Sequence, residues 1–175
     1  MIYYPGGMGE DMLILGVDPG TAITGFGILQ EKASKVKALQ YGAIKTEPDI
    51  DMAQRLKCIY DEVIQLLNEY HPEVLAIESL FFNKNVKTAL TVGQARGVVM
   101  VAAANCGVEV VEYTPLQVKQ AVVGYGRATK CQVQEMVKIL LSLAKPPSPD
   151  DVADALAVGI CHVHSRKLRD ILMEK

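Results

Sequence analysis

In Leu13-Ile14-Leu15-Gly16-Val17-Asp18-Pro19-Gly20, five mostly aliphatic residues run straight into a carboxylate and a turn. Near-continuous aliphatic runs belong to strands buried on both faces, in the middle of a sheet covered by helices. Pro-Gly directly after Asp18 ends the strand and opens a turn. Asp18 is thereby placed at the sheet rim beside the core, where a carboxylate is costly to desolvate unless a cation or a hydrogen-bond donor compensates. An Asx-turn would satisfy it locally, the side chain accepting from the turn's own N–H groups. Which reading holds depends on the rest of the chain.

Val74-Leu75-Ala76-Ile77 repeats the pattern and also ends in an acid, Glu78. Between the two runs, residues 23–31 and 36–45 read as extended segments joined by the polar Lys32-Ala33-Ser34-Lys35, so that the first three strands form an antiparallel meander. Residues 51–70 place Met52, Leu56, Ile59, Val63 and Leu67 at helical spacing, with Asp49 or Asp51 as cap and His71-Pro72 as the stop. A second helix over 86–105 is rich in small residues that allow close packing. It is followed by a strand over 108–113, a short helix opened by Thr114-Pro115, and helices over 129–143 and about 149–172. Ser148 is read as the cap of the last. Five strands in this order specify an α/β fold, a mixed sheet covered by helices on both faces.

The 175 residues, half of them hydrophobic, support one domain over 12–175 preceded by an N-terminal extension or leader over 1–11. Cys58, Cys106, Cys131 and Cys161 are widely spaced, without zinc-ligand spacing, and fit reduced thiols in a cytoplasmic protein. No apolar stretch is long enough to span a bilayer, so no membrane association is expected. The formal charge is −2, which argues against a generic nucleic-acid binder. Its distribution is uneven. Residues 79–149 carry eight Lys or Arg against three acids, 8 − 3 = +5, leaving −7 elsewhere, which permits one basic face on an acidic protein.

If the first and fourth strands are parallel neighbours, Asp18 and Glu78 emerge at the same end of the sheet, where ligand sites of α/β sheets lie. Asp151 and Asp154, three apart on the last helix, share a face that can come alongside. Four carboxylates so gathered repel one another unless cations neutralise them, and hard divalent ions suit all-oxygen ligands. Local alternatives stand beside this: a turn former for Asp18, a solvated strand end for Glu78, a capping box from Ser148 for Asp151. Asp154 has none as simple, being a poor helix former in the otherwise small and apolar Asp-Val-Ala-Asp-Ala-Leu-Ala run. His162 and His164, two apart on a helix, point different ways and do not form a metal pair.

Residues 14–20, Ala76-Ile77-Glu78-Ser79-Leu80-Phe81, Val92-Gly93-Gln94-Ala95-Arg96-Gly97-Val98, Gln117-Val118-Lys119-Gln120, Lys130-Cys131-Gln132-Val133 and Asp151-Val152-Ala153-Asp154-Ala155-Leu156-Ala157 resemble, in the same order, the motifs of the RuvC family of bacterial Holliday-junction resolvases. The resemblance runs from Met12 to about His164. It implies an RNase H-like fold, a homodimer, and paired symmetric nicking of four-way junction DNA with two Mg²⁺ ions per active site, Mn²⁺ being an alternative. It also implies a RuvA-RuvB branch-migration complex as partner, and roles in recombination and repair. By matching motif, Asp18, Glu78, Asp151 and Asp154 are the metal-binding catalytic acids. Phe81 is the aromatic that stacks on unpaired bases near the crossover, and Lys119 and Lys130 serve DNA binding and catalysis. Some members of the family carry His where Asp151 stands.

Residue chemistry agrees with those roles. An aromatic at Phe81 flanked by Lys84 and Lys87 suits distorted DNA, because stacking tolerates any sequence while ammonium groups hold phosphates. One of Phe81 and Phe82 is equally a core residue on pattern alone. Arg96 is either structural or part of a dimer contact. Among rivals, an actin-like or sugar-kinase domain needs two such lobes. A different RNase H-like nuclease, or a non-catalytic nucleic-acid-binding module, is separated from a resolvase only by the motif resemblance.

Overall fold

In the computed structural model of the chain, residues 11–33, 35–79 and 86–173 are described. β1 (Met12–Asp18) occupies the centre of a five-stranded sheet of order β3-β2-β1-β4-β5. β2 (Ile23–Lys32) and β3 (Lys35–Lys45) complete the antiparallel meander, pairing down to Lys32 and Lys35. β4 (Val74–Glu78) lies parallel to β1, and β5 (Glu109–Tyr113) parallel to β4.

Side chains alternate across a strand, and here the alternation assigns each face its helices. Leu15, Val17, Leu75 and Ile77 pack with Ile59, Val63 and Leu67 of α1 (Met52–Tyr70) and with Ala95, Val99 and Ala102 of α2 (Val86–Asn105). Ile14, Val74 and Ala76 point the other way. They pack with Val118 of α3 (Pro115–Val123), Val133 and Val137 of α4 (Lys130–Leu140), and Val152, Leu156 and Ile160 of α5 (Asp150–Met173). Asp18 and Glu78 continue the second parity, which directs both toward the α5 side.

Helix ends follow local chemistry. Asp51, not Asp49, caps α1 by accepting from the Gln54 N–H at 2.9 Å, and His71 closes it in the left-handed conformation. Thr114 with Gln117 and Thr129 with Gln132 form capping boxes at α3 and α4. α4 ends at Leu140, short of the expected Leu143. Ser142 takes a φ of 54°, and the Leu143 N–H donates to the Lys138 carbonyl at 2.9 Å, a Schellman closure built on serine instead of glycine. Among the described residues no helix is long and apolar enough to cross a membrane.

Candidate active site

β1 and β4 run side by side with Val17 opposite Ile77, so the next residue of each, Asp18 and Glu78, leave the sheet together. α5 crosses this rim unusually close to the strands. A Cβ built on Gly16 would strike the Ala155 carbonyl, and one on Gly25, the partner of Asp18 in β2, would strike the Asp151 carbonyl and approach the Val152 nitrogen to 2.9 Å. Strand glycines mark such close approaches. The small residues on both surfaces bring the first turns of α5 down onto the two acids.

The result is a cleft of about 250 Å³ whose polar walls are Asp18, Glu78, Asp154, Lys119 and Lys130. Lys130 is delivered by the first residue of α4 and Lys119 by α3. The Lys130 ammonium lies 3.1 Å from Asp154 and 3.3 Å from Asp150, and Asp150 in turn accepts from the Gln134 amide at 2.8 Å.

The electrostatics are those of a carboxylate cluster short of positive charge. Burial, then the charges of Asp154, Asp151 and Glu78, push the Asp18 carboxyl up to about 7 against the partial relief of Lys130. Burial and Asp154 raise Glu78, with Lys119 opposing. Asp154 is raised by burial although Lys130 pulls it down. Burial works against the Lys130 charge, yet Asp154 and Asp150 more than reverse this and hold the ammonium above its ordinary range. Among the described residues no three metal-ligating side chains stand in ready coordination geometry; Asp154 is paired with the Lys130 ammonium.

Asp18, Glu78 and Asp154 thus share one cleft with Lys119 and Lys130. Asp151 is not among the cleft walls and reaches Asp18 through its charge. Phe81 and Lys84 lie outside the described residues, as does the side chain of Lys87. His162 and His164 go to different partners, the Tyr113 hydroxyl at 2.9 Å and the Ala121 carbonyl at 2.8 Å. Of the basic section, Arg96 is 8% exposed and tied to Glu112, and Lys138 is paired with Glu135. Sequence reasoning missed Asp150 and Gln134. Gln134 stands one turn beyond Lys130 on α4, but only the α4–α5 packing brings it to Asp150.

Comparison with known proteins matches residues 14–162 to the family described as Crossover junction endodeoxyribonuclease RuvC. The crossover junction endodeoxyribonuclease RuvC of Alkaliphilus oremlandii is 57% identical over 164 residues, spanning 94% of this chain and all of that protein. That of Clostridioides difficile is 58% identical, spanning 92% and 95%. Among solved structures, T. thermophilus RuvC in complex with Holliday junction substrate aligns with a TM-score of 0.86 at 37% identity, over 90% of this chain and 96% of that one. The yeast mitochondrial Holliday junction resolvase Ydc2 aligns with a TM-score of 0.60 at 15% identity over 92% of this chain and 83% of that one, a likeness of fold alone.

Proposed function

We infer that this chain, which belongs to the crossover junction endodeoxyribonuclease RuvC family, is a metal-dependent nuclease of RNase H-like fold that resolves Holliday junctions by paired nicks. The observation that carries the chemistry is the cleft in which acids from β1, β4 and α5 face two lysines. The reading takes residues 12–175 as one nuclease domain acting in the cytoplasm.

The donor set fits hard divalent cations. It offers carboxylate oxygens only, and the raised Asp18, Glu78 and Asp154 carboxyls carry an electrostatic load that such an ion relieves. Asp18, Glu78 and Asp154 would hold the metal, with Asp151 adding charge or a ligand from the first turn of α5; two Mg²⁺, or Mn²⁺ in their place, are proposed. Bound there, the metal supplies activation of water and stabilisation of the leaving oxygen of the phosphodiester.

The protein's own share is positioning. Lys119 and Lys130, on two capped helices, face the acids across the cleft and are suited to hold the scissile phosphate. Val118, Val133 and Ala157 wall the cleft, which keeps the local dielectric low and strengthens those contacts. Phe81 is proposed to stack on unpaired bases at the crossover, and Lys84 and Lys87 to hold flanking phosphates. A homodimer is supported by an open, largely apolar groove of about 490 Å³ between α1 and α2, lined by Leu56, Tyr60, Gly97, Val98 and Val101. Such a dimer presents two cleavage sites to a two-fold substrate, and a RuvA-RuvB complex is the expected partner on the junction.

A synthetic immobile junction and a matched linear duplex, each with and without Mg²⁺, test this reading. Symmetric nicks in the junction alone, only with metal, are expected. Asp18→Asn and Glu78→Gln should abolish cleavage and keep metal-free junction binding. Equal cutting of the duplex, or parallel loss of binding in folded variants, would overturn it.

A further inference from the structure

Arg96 belongs to α2, on the opposite side of the sheet from the cleft, yet it ends at the backbone of a cleft residue. Its Nη1 donates to the Glu78 carbonyl at 2.6 Å and its Nη2 pairs with Glu112 Oε2 at 2.5 Å. The neighbouring N–H, that of Ser79, donates to the Tyr113 carbonyl at 2.7 Å. Both polar groups of the Glu78–Ser79 peptide are therefore held, one by β5 and one by the guanidinium. This is the last peptide of the β4 ladder, because Glu78 pairs with Tyr113 at the ends of both strands.

An arginine only 8% exposed is costly to bury unless its donors are used. Here the fork spends one arm on charge and the other on a carbonyl. Glu112 is itself about half exposed, so the ion pair alone gives little stabilisation and little reason for burial. Locking the plane of the Glu78–Ser79 peptide locks ψ of Glu78 and so the direction of its Cα–Cβ bond. A carboxylate that must meet Asp18 and Asp154 in one cleft depends on that direction.

We propose that Arg96 is a positioning residue for cleavage, aiming the Glu78 carboxylate by clamping its carbonyl from the far side of the sheet. The inference rests on the catalytic reading of Glu78 above. Arg96→Met keeps the apolar stem and removes both contacts. It should slow single-turnover junction cleavage at saturating Mg²⁺ by about 30-fold or more, in line with the sensitivity of catalysis to small misplacements. It should also raise the Mn²⁺ concentration for half-saturation, read by electron paramagnetic resonance on the protein alone, while metal-free junction binding stays within about twofold, since no phosphate contact is lost. Arg96→Lys, which cannot span both partners, should recover part of the rate. It carries the test if Arg96→Met does not fold. Glu112→Gln leaves the carbonyl clamp in place and should cost about threefold or less, as expected of a half-exposed pair.

Wild-type rates and Mn²⁺ affinity in both Arg96 variants would overturn the proposal. So would losses that only track thermal stability, vanishing well below each variant's Tm. Glu78→Gln, assayed alongside, separates the two levels. If it cleaves normally, the catalytic reading of Glu78 has failed; if it is inactive while both Arg96 variants cleave normally, only the positioning role has.

Discussion

Asp18 is expected to destabilise the metal-free fold, and removing its charge should make the protein more stable. Its carboxyl rises from 3.8 to about 7 because burial and three neighbouring acids disfavour ionisation. At about 1.4 kcal/mol per tenfold change in proton affinity, that amounts to about 4 kcal/mol. The folded pKa is above the unfolded one. The protonated form's stability is therefore fully present below about pH 4, is lost as pH rises toward 7, and the loss is complete above it. Asp18→Asn, which keeps the shape and abolishes the titration, should melt higher than the wild type in EDTA at pH 8. The gap should be about 8 to 16 °C at most, taking about 2 to 4 °C per kcal/mol for a chain of this size. At pH 5 the penalty is about 2 kcal/mol, so the gap should fall by roughly half. Saturating Mg²⁺ should raise the wild-type Tm more than that of Asp18→Asn, by mass action on a site that binds only the folded state. Thermal denaturation of both proteins across pH, with EDTA and with Mg²⁺, reads all of this. An Asp18→Asn protein no more stable than wild type at pH 8, or a gap indifferent to pH, would refute the assignment of Asp18 to a crowded and desolvated cluster.

Gly25→Ala inserts a methyl against the Asp151 carbonyl and should lift α5 from the sheet; a stability loss of about 1 to 3 kcal/mol and sharply reduced cleavage, measured by chemical denaturation and a junction assay, are expected. Lys119→Gln should weaken metal-free junction binding and reduce the slope of log affinity against log salt by about one if Lys119 contacts a phosphate, whereas an unchanged slope removes it from the DNA surface. Glu78→Asp, one methylene shorter, should leave Tm nearly unchanged and suppress cleavage at saturating Mg²⁺, because the strand cannot move to make up the reach.

What could be read from the chain was local or parity-bound. The aliphatic runs ending at Asp18 and Glu78 identify two buried strands, and the two-residue period, once both are parallel neighbours, carries both acids to one face. The cap at Thr114 is legible from its own short segment, the one on α1 narrows to Asp49 or Asp51, and Thr129, read as the first residue of its helix, is instead the cap. The ion pairs that organise Lys130 lay beyond such rules. Lys130 meets Asp150 and Asp154 across the α4–α5 contact, and no spacing in the sequence records the distance between two helices. Arg96 stood open between two roles for the same reason, since its partners Glu78 and Glu112 belong to strands on which the helix bearing it is packed. Asp151 shares a helix face with Asp154 in the sequence pattern, yet Asp154 lines the cleft and Asp151 does not. A helix face is too wide to decide which of two acids a given opening receives.

The lengths of the acids follow from how α5 lies. Its closest approaches are to β1 and β2, where Gly16 and Gly25 face the helix backbone directly and Gly27 makes room for the Leu156 side chain. An acid on β1 facing an acid on α5 across so thin a gap can be the shorter aspartate. β4 lies one strand further from that line of contact, and there the side chain is the longer glutamate. The glycines, the alanines of the Asp-Val-Ala-Asp-Ala-Leu-Ala run and the choice of Asp or Glu are thus one geometric solution: the helix is brought near enough for three carboxylates to converge. Convergence raises their proton affinities, and the stability lost in doing so is what a cation, or the Lys130 ammonium, can return. Asp18→Asn would therefore remove the strain and the site together, whereas Gly25→Ala would lose the site while adding a clash of its own against the Asp151 carbonyl.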